Sequence, residues 1–440
     1  MTNREMVARS LAAIWHPCTQ MKAHERFPLV PVASAQGPWL TDFEGRRYLD
    51  GVSSWWVNLF GHAHPAINAA IVDQLATVEH AMLAGFTHAP AIELAERLRR
   101  IAPGALGHAF FASDGASATE IALKMAFHYW ANRGRPGKTR FVSLQGGYHG
   151  ETVGALGVTD VPLFRAAYAP LLRASIVAPF PARHADDHRF GGIRGAVDAA
   201  AALAKLLAER HGEIAALIVE PLVQGASGMR FYHPEFLRRA RELCTRHEVL
   251  LVADEIMTGF GRTGTMFACE QAAVAPDLLC LSKGITGGYL PLSCVLSTDE
   301  VYGAFYDEDV ARGFLHSHSY TGNPLACRAA CAVLDLFERE GVLARNERSS
   351  ARFAARAQAL AHHPCVRDFR HLGMIWAFEV ESGEPAFAAR AFEIALARGV
   401  LLRPIGRTVY FMPPYVIGDA EFGELVDAGL AIAEALGRPA

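Results

Sequence analysis

The sequence predicts an α/β protein with a large domain built on a mostly parallel central sheet and a smaller α+β domain. Between about residues 108 and 283, short apolar runs alternate with amphipathic helical stretches, a pattern typical of parallel strands buried on both faces. The chain has 440 residues, more than one hydrophobic core usually supports. Beyond residue 330 this regular alternation ends, which indicates a second domain of different construction.

The strands of the large domain end where polar residues begin. They are predicted at 109–112, 140–144, 216–220, 250–253 and 278–281. Helical stretches separate them, including one at 234–247 with an apolar face of Phe236, Leu237, Ala240 and Leu243. Strand and helix alternation of this kind favours a three-layer arrangement.

Both ends of the chain supply the small domain. Residues 39–51 predict two short strands around an Asp/Glu/Gly turn, and Pro65 begins a helix. A long helix is predicted at 325–340, and the segments 366–370 and 374–380, with a helix at 386–398, indicate an α+β domain after it. We therefore expect residues 1–60 to contribute to the small domain, 61–330 to form the large domain and 331–440 to complete the small one.

Composition excludes several classes of function. The net charge of −3, with acids and bases interspersed, gives no footprint for nucleic acid or a membrane surface. No apolar run reaches the roughly 18 residues that span a bilayer, and the first residues lack the apolar stretch of a signal peptide. The eight scattered cysteines contain no C-x-x-C pair, which favours buried thiols in a reducing compartment and hence the cytoplasm.

An acid and an amine follow two of the buried strands. Asp254 comes directly after 250–253, and Lys283 follows 278–281. Ligands of open α/β sheets bind outside the carboxyl ends of the strands. A lysine able to form a Schiff base and an aspartate able to keep a pyridine nitrogen protonated are the working pair of a pyridoxal phosphate enzyme. Taken alone, a lysine such as Lys283 is in most cases a solvated surface residue.

Two further strand ends suit the same cofactor. Residues 111–120 link a strand to a helix through small residues, including Gly115 and Ala116, and helix N–H groups there can bind a phosphate. An ordinary N-capped helix is the alternative. The absence of G-x-G-x-x-G argues against a dinucleotide. Tyr148, in the glycine-rich run 146–150, either stacks on a planar cofactor or packs in a turn.

Two other features suit a substrate, and a third, rich in histidine, invites a metal interpretation. Trp55 and Trp56 are adjacent and cannot both face inward on a strand, so at least one is exposed or lines a cavity. Arg403, after an apolar strand, either clamps a carboxylate or forms a surface ion pair. The run His316-Ser317-His318-Ser319 and the pair His62 and His64 lack acid or cysteine partners at metal-ligand spacing, and Ser319 is better placed as a phosphate donor.

Together these motifs resemble the class III, or ω-, aminotransferases of fold-type I, over about residues 15–415. The specific stretches are Asp254-Glu255-Ile256-Met257-Thr258-Gly259-Phe260-Gly261-Arg262-Thr263-Gly264, Pro276-Asp277 and Ser282-Lys283-Gly284. Within the family the chain most resembles the branch that converts 8-amino-7-oxononanoate in the biotin pathway with S-adenosylmethionine as amino donor. The runs that support this are Trp15-His16-Pro17, Ser53-Ser54-Trp55-Trp56, Glu220-Pro221-Leu222-Val223-Gln224 and Tyr410-Phe411-Met412-Pro413-Pro414-Tyr415.

The resemblance implies roles for individual residues. Lys283, Asp254 and Tyr148 are implied to be catalytic, with Lys283 binding the cofactor and moving the proton. The implied cofactor-binding residues are Gly115, Ala116, Tyr148, Glu220, Asp254, Ile256, Lys283, His318 and Ser319. The implied substrate-binding residues are Trp55, Trp56, Tyr148, Lys283, Ser317, Arg403 and Tyr410. The resemblance also implies a homodimer with shared active sites, in which Ser319 and His318 reach in from the second subunit.

This sequence departs from the family at three positions. Ala116 replaces a hydroxyl residue of the phosphate turn, Cys18 stands where some relatives have a tyrosine, and Glu151 stands where some have aspartate. Two alternatives remain open on the same scaffold: a transaminase with lysine or 4-aminobutyrate as donor, and an aminomutase of the glutamate-1-semialdehyde type. A cofactor-free structural relative is disfavoured because Lys283 and Asp254 are both present.

Overall fold

The computed structural model describes residues 1–25, 27, 29–182 and 192–438. The chain divides into two compact units. One comprises Ala66–Arg345, and the other comprises Met1–Pro65 together with Asn346–Ala440. Along the chain, the units change after residues 65 and 345, whereas the sequence predicts domain boundaries at 60 and 330.

Sixteen strands occur in the described ranges. They are β1 (Val32–Gln36), β2 (Trp39–Asp42), β3 (Arg47–Asp50), β4 (His108–Ala112), β5 (Arg140–Leu144), β6 (Ile176–Ala178), β7 (Ile214–Val219), β8 (Val223–Gln224), β9 (Arg230–Phe231), β10 (Leu250–Asp254), β11 (Leu278–Leu281), β12 (Ser293–Ser297), β13 (Val366–Leu372), β14 (Ile375–Val380), β15 (Val400–Leu401) and β16 (Thr408–Phe411).

Helices of both kinds connect these strands. The α-helices are α1 (Asn3–Ala13), α2 (Ser53–Trp56), α3 (Pro65–Leu75), α4 (Ala89–Ile101), α5 (Gly115–Asn132), α6 (Val153–Val158), α7 (Pro162–Arg165), α8 (Ile193–Arg210), α9 (Pro234–Arg246), α10 (Asp299–Gly303), α11 (Pro324–Glu340), α12 (Val342–Ala361), α13 (Phe387–Ala397) and α14 (Asp419–Leu436). Short 3₁₀ helices occupy Met21–Glu25, Ala166–Leu171, His211–Glu213, Ala268–Ala272, Lys283–Thr286 and Val310–Arg312.

The larger unit is built on a seven-stranded sheet of order β4-β12-β11-β10-β7-β5-β6. Five neighbouring strands run parallel to one another: β11, β10, β7, β5 and β6. Strand β12 runs antiparallel to both β11 and β4. All five predicted strands are present in this sheet, which confirms the mostly parallel α/β class. The short strand β6 and the antiparallel strand β12 are additions that the sequence analysis does not contain.

The apolar runs form strands here because the sheet is covered on both faces. Every residue of β7, β10 and β11 is buried. Helix α5 packs on the sheet, and its buried face includes Ile121, Met125 and Tyr129. Strands without an exposed face have no need of polar alternation, so they are recognisable as continuous apolar runs.

The smaller unit contains two sheets. One has the order β1-β2-β3-β15 and the other the order β13-β14-β16. Strand β15 joins the first sheet parallel to β3, with Leu49 opposite Val400 and Asp50 opposite Leu401. This pairing joins residues far apart in sequence within one sheet of the smaller unit.

Two bulk expectations bear on the surface and the core. No helix in the described ranges is long and apolar enough to cross a membrane. Seven of the eight cysteines are buried free thiols, and Cys18 is exposed. The prediction that most of the cysteines are buried is confirmed.

Candidate active site

Asp254 is the last residue of β10 and is 4% exposed. Its Oδ2 accepts a hydrogen bond from Nδ1 of His149 at 2.7 Å, and its Oδ1 accepts one from the backbone N–H of Ile256 at 3.1 Å. A buried carboxylate needs such partners, because an unpaired charge in the protein interior is costly. The side chain is therefore fixed at the carboxyl end of its strand.

His149 is a functional candidate that the sequence analysis missed. Its ring is buried beside Asp254, and its Nε2 has no hydrogen-bond partner among the described residues. Neither polar atom of the buried Gln224 amide has one either. A Cβ built on Gly147 would lie 3.3 Å from Nε2 of His149 and 3.7 Å from Nε2 of Gln224, so both side chains border the same glycine. The available signal was its position next to Tyr148 at a strand end.

Lys283 follows β11, three residues beyond Cys280, which pairs with Asp254 across the two strands. Its backbone φ of 43° is left-handed, a conformation that L-residues other than glycine adopt rarely. Burial lowers the pKa of Lys283 to about 8, while the negative charges of Asp254 and Glu220 act in the opposite direction. A lysine with a strained backbone and a lowered pKa, just beyond the end of a strand, is characteristic of a functional residue.

Glu220 lies immediately after β7 and is buried. Its two carboxylate oxygens accept the backbone N–H groups of Tyr148, at 2.9 Å, and Gly225, at 3.0 Å. Burial raises the pKa of Glu220 to about 7, opposed by the neighbouring His149 and supported by the charge of Asp254. In the structure Glu220 therefore holds the backbone of the Tyr148 turn.

The glycine-rich turn around Tyr148 orients that ring at the end of β5. The phenol donates to Oε1 of Glu151 at 2.8 Å, and the ring packs edge-on against Phe164 with centroids 5.3 Å apart. The side chain is only partly buried. It remains our prediction that this ring stacks on a planar cofactor.

The predicted phosphate turn forms the start of α5. Asp114 caps the helix by accepting the N–H of Ser117 at 2.9 Å, so the N–H groups of Gly115 and Ala116 lie in the first turn, before the intrahelical bonds begin. A Cβ on Gly115 would lie 3.0 Å from Ile256, and a Cβ on Gly150 would lie 2.6 Å from that of Ala116. The backbone here is packed too closely for larger residues.

The serine and histidine run lies beside this turn. Nε2 of His318 is 2.6 Å from Oγ of Ser113, the residue before the helix cap. Ser317 and Ser319 are exposed. The contact of His318 is with its own chain, so a contribution of His318 or Ser319 across a subunit interface stays a prediction.

These residues fit pyridoxal phosphate. A fixed carboxylate supplies a partner for a ring nitrogen, a lysine with a lowered pKa supplies an amine, and a helix start lined with small residues supplies N–H donors for a phosphate. The three groups come from β10, β11 and the β4–α5 connection of the same sheet.

Four of the seven predicted substrate residues lie in the smaller unit, and the other three, Tyr148, Lys283 and Ser317, lie in the larger one. Trp56 is 6% exposed and Trp55 is 42% exposed, so one of the pair faces inward and the other outward as expected, although they lie in the turn α2 and not on a strand. Nε1 of Trp56 donates to the phenolic oxygen of Tyr410 at 3.0 Å. The guanidinium of Arg403 lies over the Trp55 ring, 4.7 Å from its centroid.

Comparison with known proteins gives one consistent family. The class-III aminotransferase family model matches residues 20–432. The chain is 44% identical over 433 residues to the adenosylmethionine-8-amino-7-oxononanoate aminotransferase of Helicobacter pylori, covering 97% of this chain and 96% of the relative. It is 42% identical to the enzyme of that name from Aquifex aeolicus, covering 94% and 93%.

Solved structures agree. The crystal structure of the adenosylmethionine-8-amino-7-oxononanoate aminotransferase from Methanocaldococcus jannaschii superposes with a TM-score of 0.93 at 34% identity, covering 99% of this chain and all of that one. An amine transaminase from an uncultivated Pseudomonas species, in its PLP-bound form, superposes with a TM-score of 0.89 at 34% identity, covering 97% and 99%.

Proposed function

The chain belongs to the class-III aminotransferase family, and from this membership we propose that it transfers the amino group of S-adenosylmethionine to 8-amino-7-oxononanoate, forming 7,8-diaminononanoate for biotin synthesis. It would thus be an adenosylmethionine-8-amino-7-oxononanoate aminotransferase with pyridoxal 5′-phosphate as cofactor. The observation that carries the proposal is the near full-length identity of 44% to a relative of that name. The alternative donors and the aminomutase have no comparable support.

Asp254 and its neighbours would hold the cofactor ring. When bound, pyridoxal phosphate supplies a positively charged ring that withdraws electrons from the reacting carbon. Asp254 favours that charge, because a nearby carboxylate stabilises the protonated form of a ring nitrogen. The bond from His149 keeps the carboxylate in one orientation. Gly115 and Ala116 would bind the phosphate through their N–H groups, and Ile256 and Tyr148 would cover the ring faces.

Lys283 is the residue that would bind the cofactor and then move the proton. With a pKa of about 8, roughly a tenth of this amine is neutral at pH 7. An ordinary lysine would be neutral in only about one molecule in three thousand. A base with a pKa close to the working pH is the most effective proton carrier, and such groups typically contribute about 10²–10⁴-fold.

The smaller unit would supply substrate recognition. Trp55, Trp56 and Tyr410 suit the apolar chain of 8-amino-7-oxononanoate, and Arg403 suits its carboxylate. The donor carries a sulfonium cation, which aromatic faces attract. We further propose that Ser317 contacts substrate, that the enzyme acts in the cytoplasm as a homodimer with shared active sites, and that Ser319 and His318 contribute across the interface.

A panel of amino donors tests the reaction. Purified holoenzyme with 8-amino-7-oxononanoate is expected to consume S-adenosylmethionine and release diaminononanoate. Equal or faster turnover with lysine or 4-aminobutyrate would contradict the donor assignment, and conversion of glutamate-1-semialdehyde without any donor would favour the aminomutase. Lys283→Ala is expected to lose both turnover and the visible absorption band of the bound cofactor, and a retained band would contradict its role.

A further inference from the structure

The four residues of α2 form a left-handed turn and not a right-handed α-helix. Ser53, Ser54, Trp55 and Trp56 have φ values of 51°, 46°, 73° and 73°. L-residues are disfavoured in this conformation, and where it occurs it is normally confined to single positions. None of the four is a glycine, so the surrounding structure must hold the turn in place.

Asp50 is the residue that holds it. This carboxylate, at the end of β3, is fully buried. Its Oδ1 accepts the backbone N–H of Ser54 at 2.8 Å, and its Oδ2 accepts the Ser54 hydroxyl at 2.7 Å. Both oxygens are therefore used on one residue inside the left-handed turn, which couples the turn directly to the strand.

His62 and Asn58 fix that carboxylate from the other side. Nε2 of His62 donates to Oδ2 of Asp50 at 3.0 Å. The amide of Asn58 donates to Nδ1 of the same imidazole at 3.1 Å, which assigns the ring proton to Nε2. The Ser53 hydroxyl also donates to the backbone oxygen of Met412 at 2.7 Å, so the turn is held both by the end of β3 and by the segment that follows β16.

The turn places the ring of Trp55 against the guanidinium of Arg403. Strand β3 ends at Asp50, opposite Leu401 of the parallel strand β15, and the two chain segments leave the sheet side by side. One leads into the turn, and the other leads to Arg403. The Arg403 guanidinium lies over the Trp55 ring, and its Nη2 donates to the backbone oxygen of Cys18 at 3.1 Å.

We propose that Asp50 is a positioning residue for substrate recognition: by holding the left-handed turn Ser53–Trp56, it keeps Trp55 under the Arg403 guanidinium and orients that cation for a carboxylate. This deepens the proposed function and rests on it for the identity of the substrate. A guanidinium restrained by a ring and a carbonyl loses little freedom when it takes a carboxylate through two parallel hydrogen bonds. Asp50 itself, being buried, touches no substrate.

The test uses two unreactive probes that differ only at the head group, octanoate and octanamide, titrated calorimetrically into the holoenzyme. The wild-type enzyme is expected to prefer octanoate by about 10-fold or more. Asp50→Ala is expected to lose most of that preference with little change in octanamide affinity. Asp50→Asn keeps an acceptor for the Ser54 N–H and is expected to retain part of the preference for octanoate. Arg403→Met should abolish the preference altogether.

Controls separate recognition from folding. Asp427→Ala removes an exposed acid of the same unit, paired with Arg356, and should leave the preference unchanged. If Asp50→Ala does not fold, Ser54→Gly replaces it. A glycine accepts the left-handed backbone yet lacks the hydroxyl bond to Asp50, so it should lower the preference without loss of the fold.

Two outcomes overturn the proposal. The first is a folded Asp50→Ala enzyme that keeps the wild-type preference for octanoate; where Ser54→Gly replaces that variant, the same result with Ser54→Gly counts. The second is an Arg403→Met enzyme that still prefers octanoate. The proposed reaction fails separately. An enzyme that prefers octanoate but consumes no S-adenosylmethionine refutes the reaction and leaves the turn assignment intact, whereas an active transaminase that binds both probes equally refutes the assignment alone.

Discussion

Replacing Lys283 by methionine is expected to make the cofactor-free protein more resistant to heat at pH 7, although it removes the residue on which the proposed reaction depends. Burial lowers the pKa of Lys283 from 10.5 to about 8. A lysine whose pKa is lower in the folded chain than in the unfolded chain binds fewer protons when folded. Its charge therefore opposes folding below pH 8, and this cost disappears as the pH rises from 8 to 10.5.

The size of the effect follows from the same numbers. The fall from 10.5 to about 8 corresponds to about 3 kcal/mol, at about 1.4 kcal/mol per pKa unit. Lys283 is partly exposed, and solvent screening reduces this figure to about 2 kcal/mol. In a folding unit of this size, roughly 2 °C of melting temperature corresponds to each kcal/mol, so the variant should gain about 4 °C.

Thermal unfolding of the cofactor-free protein, followed by circular dichroism at pH 7 and pH 10.5, measures this gain. The difference between Lys283→Met and the wild type should be present at pH 7 and absent at pH 10.5. Lys205→Met, at an exposed position of α8, is the matched control and should change neither value. An equal gain at both pH values, or a loss at pH 7, would refute the electrostatic reasoning.

Two further predictions concern the cofactor. Gly150→Ala places a Cβ 2.6 Å from that of Ala116 at a φ of +119°, so it should weaken pyridoxal phosphate binding by about 10-fold or more but affect phosphate-free pyridoxal less. Gly134→Ala, with a left-handed φ but open space around it, is the control for backbone strain. His149→Leu should weaken cofactor binding by at least about 10-fold, measured by equilibrium dialysis, because Asp254 loses its buried N–H donor. His149→Asn retains a donor and should recover part of the loss, whereas equal affinities in both variants would argue against the role of that bond.

The sequence predicted the parts of the fold that depend on local patterns. Continuous apolar runs located β10 and β11, because strands buried on both faces need no polar alternation. Strand β12, Ser293–Ser297, has only three apolar residues between two serines, so its pattern is too short to predict a strand, and its antiparallel direction depends on its neighbours. The three residues of β6 are too few to show any period.

Local pattern indicated candidate residues at or just beyond the ends of predicted strands. Asp254, Lys283 and the helix start at Gly115 are examples. The partners that orient functional side chains come from distant parts of the chain: His149 bonds to Asp254 across 105 positions, and Tyr410 bonds to Trp56 across 354. Such pairs carry no local signal. The left-handed turn at Ser53–Trp56 could not be predicted either, because serine and tryptophan are not residues that indicate a positive φ.

The electrostatics at the strand ends involve three groups: Asp254 and Lys283, which the strand-end pattern indicated, and Glu220, which only the family resemblance implied. Glu220 accepts two backbone N–H groups and Asp254 accepts an imidazole and a backbone N–H, so each carboxyl is committed to a different support. Both charges raise the pKa of Lys283 against the larger effect of burial. Removing either carboxyl would therefore lower the pKa of the lysine further and enlarge its neutral fraction at pH 7. The pKa of about 8 at Lys283 thus depends on Asp254 and Glu220 as well as on burial. A pattern of an aspartate and a lysine at strand ends identifies only two of these three residues.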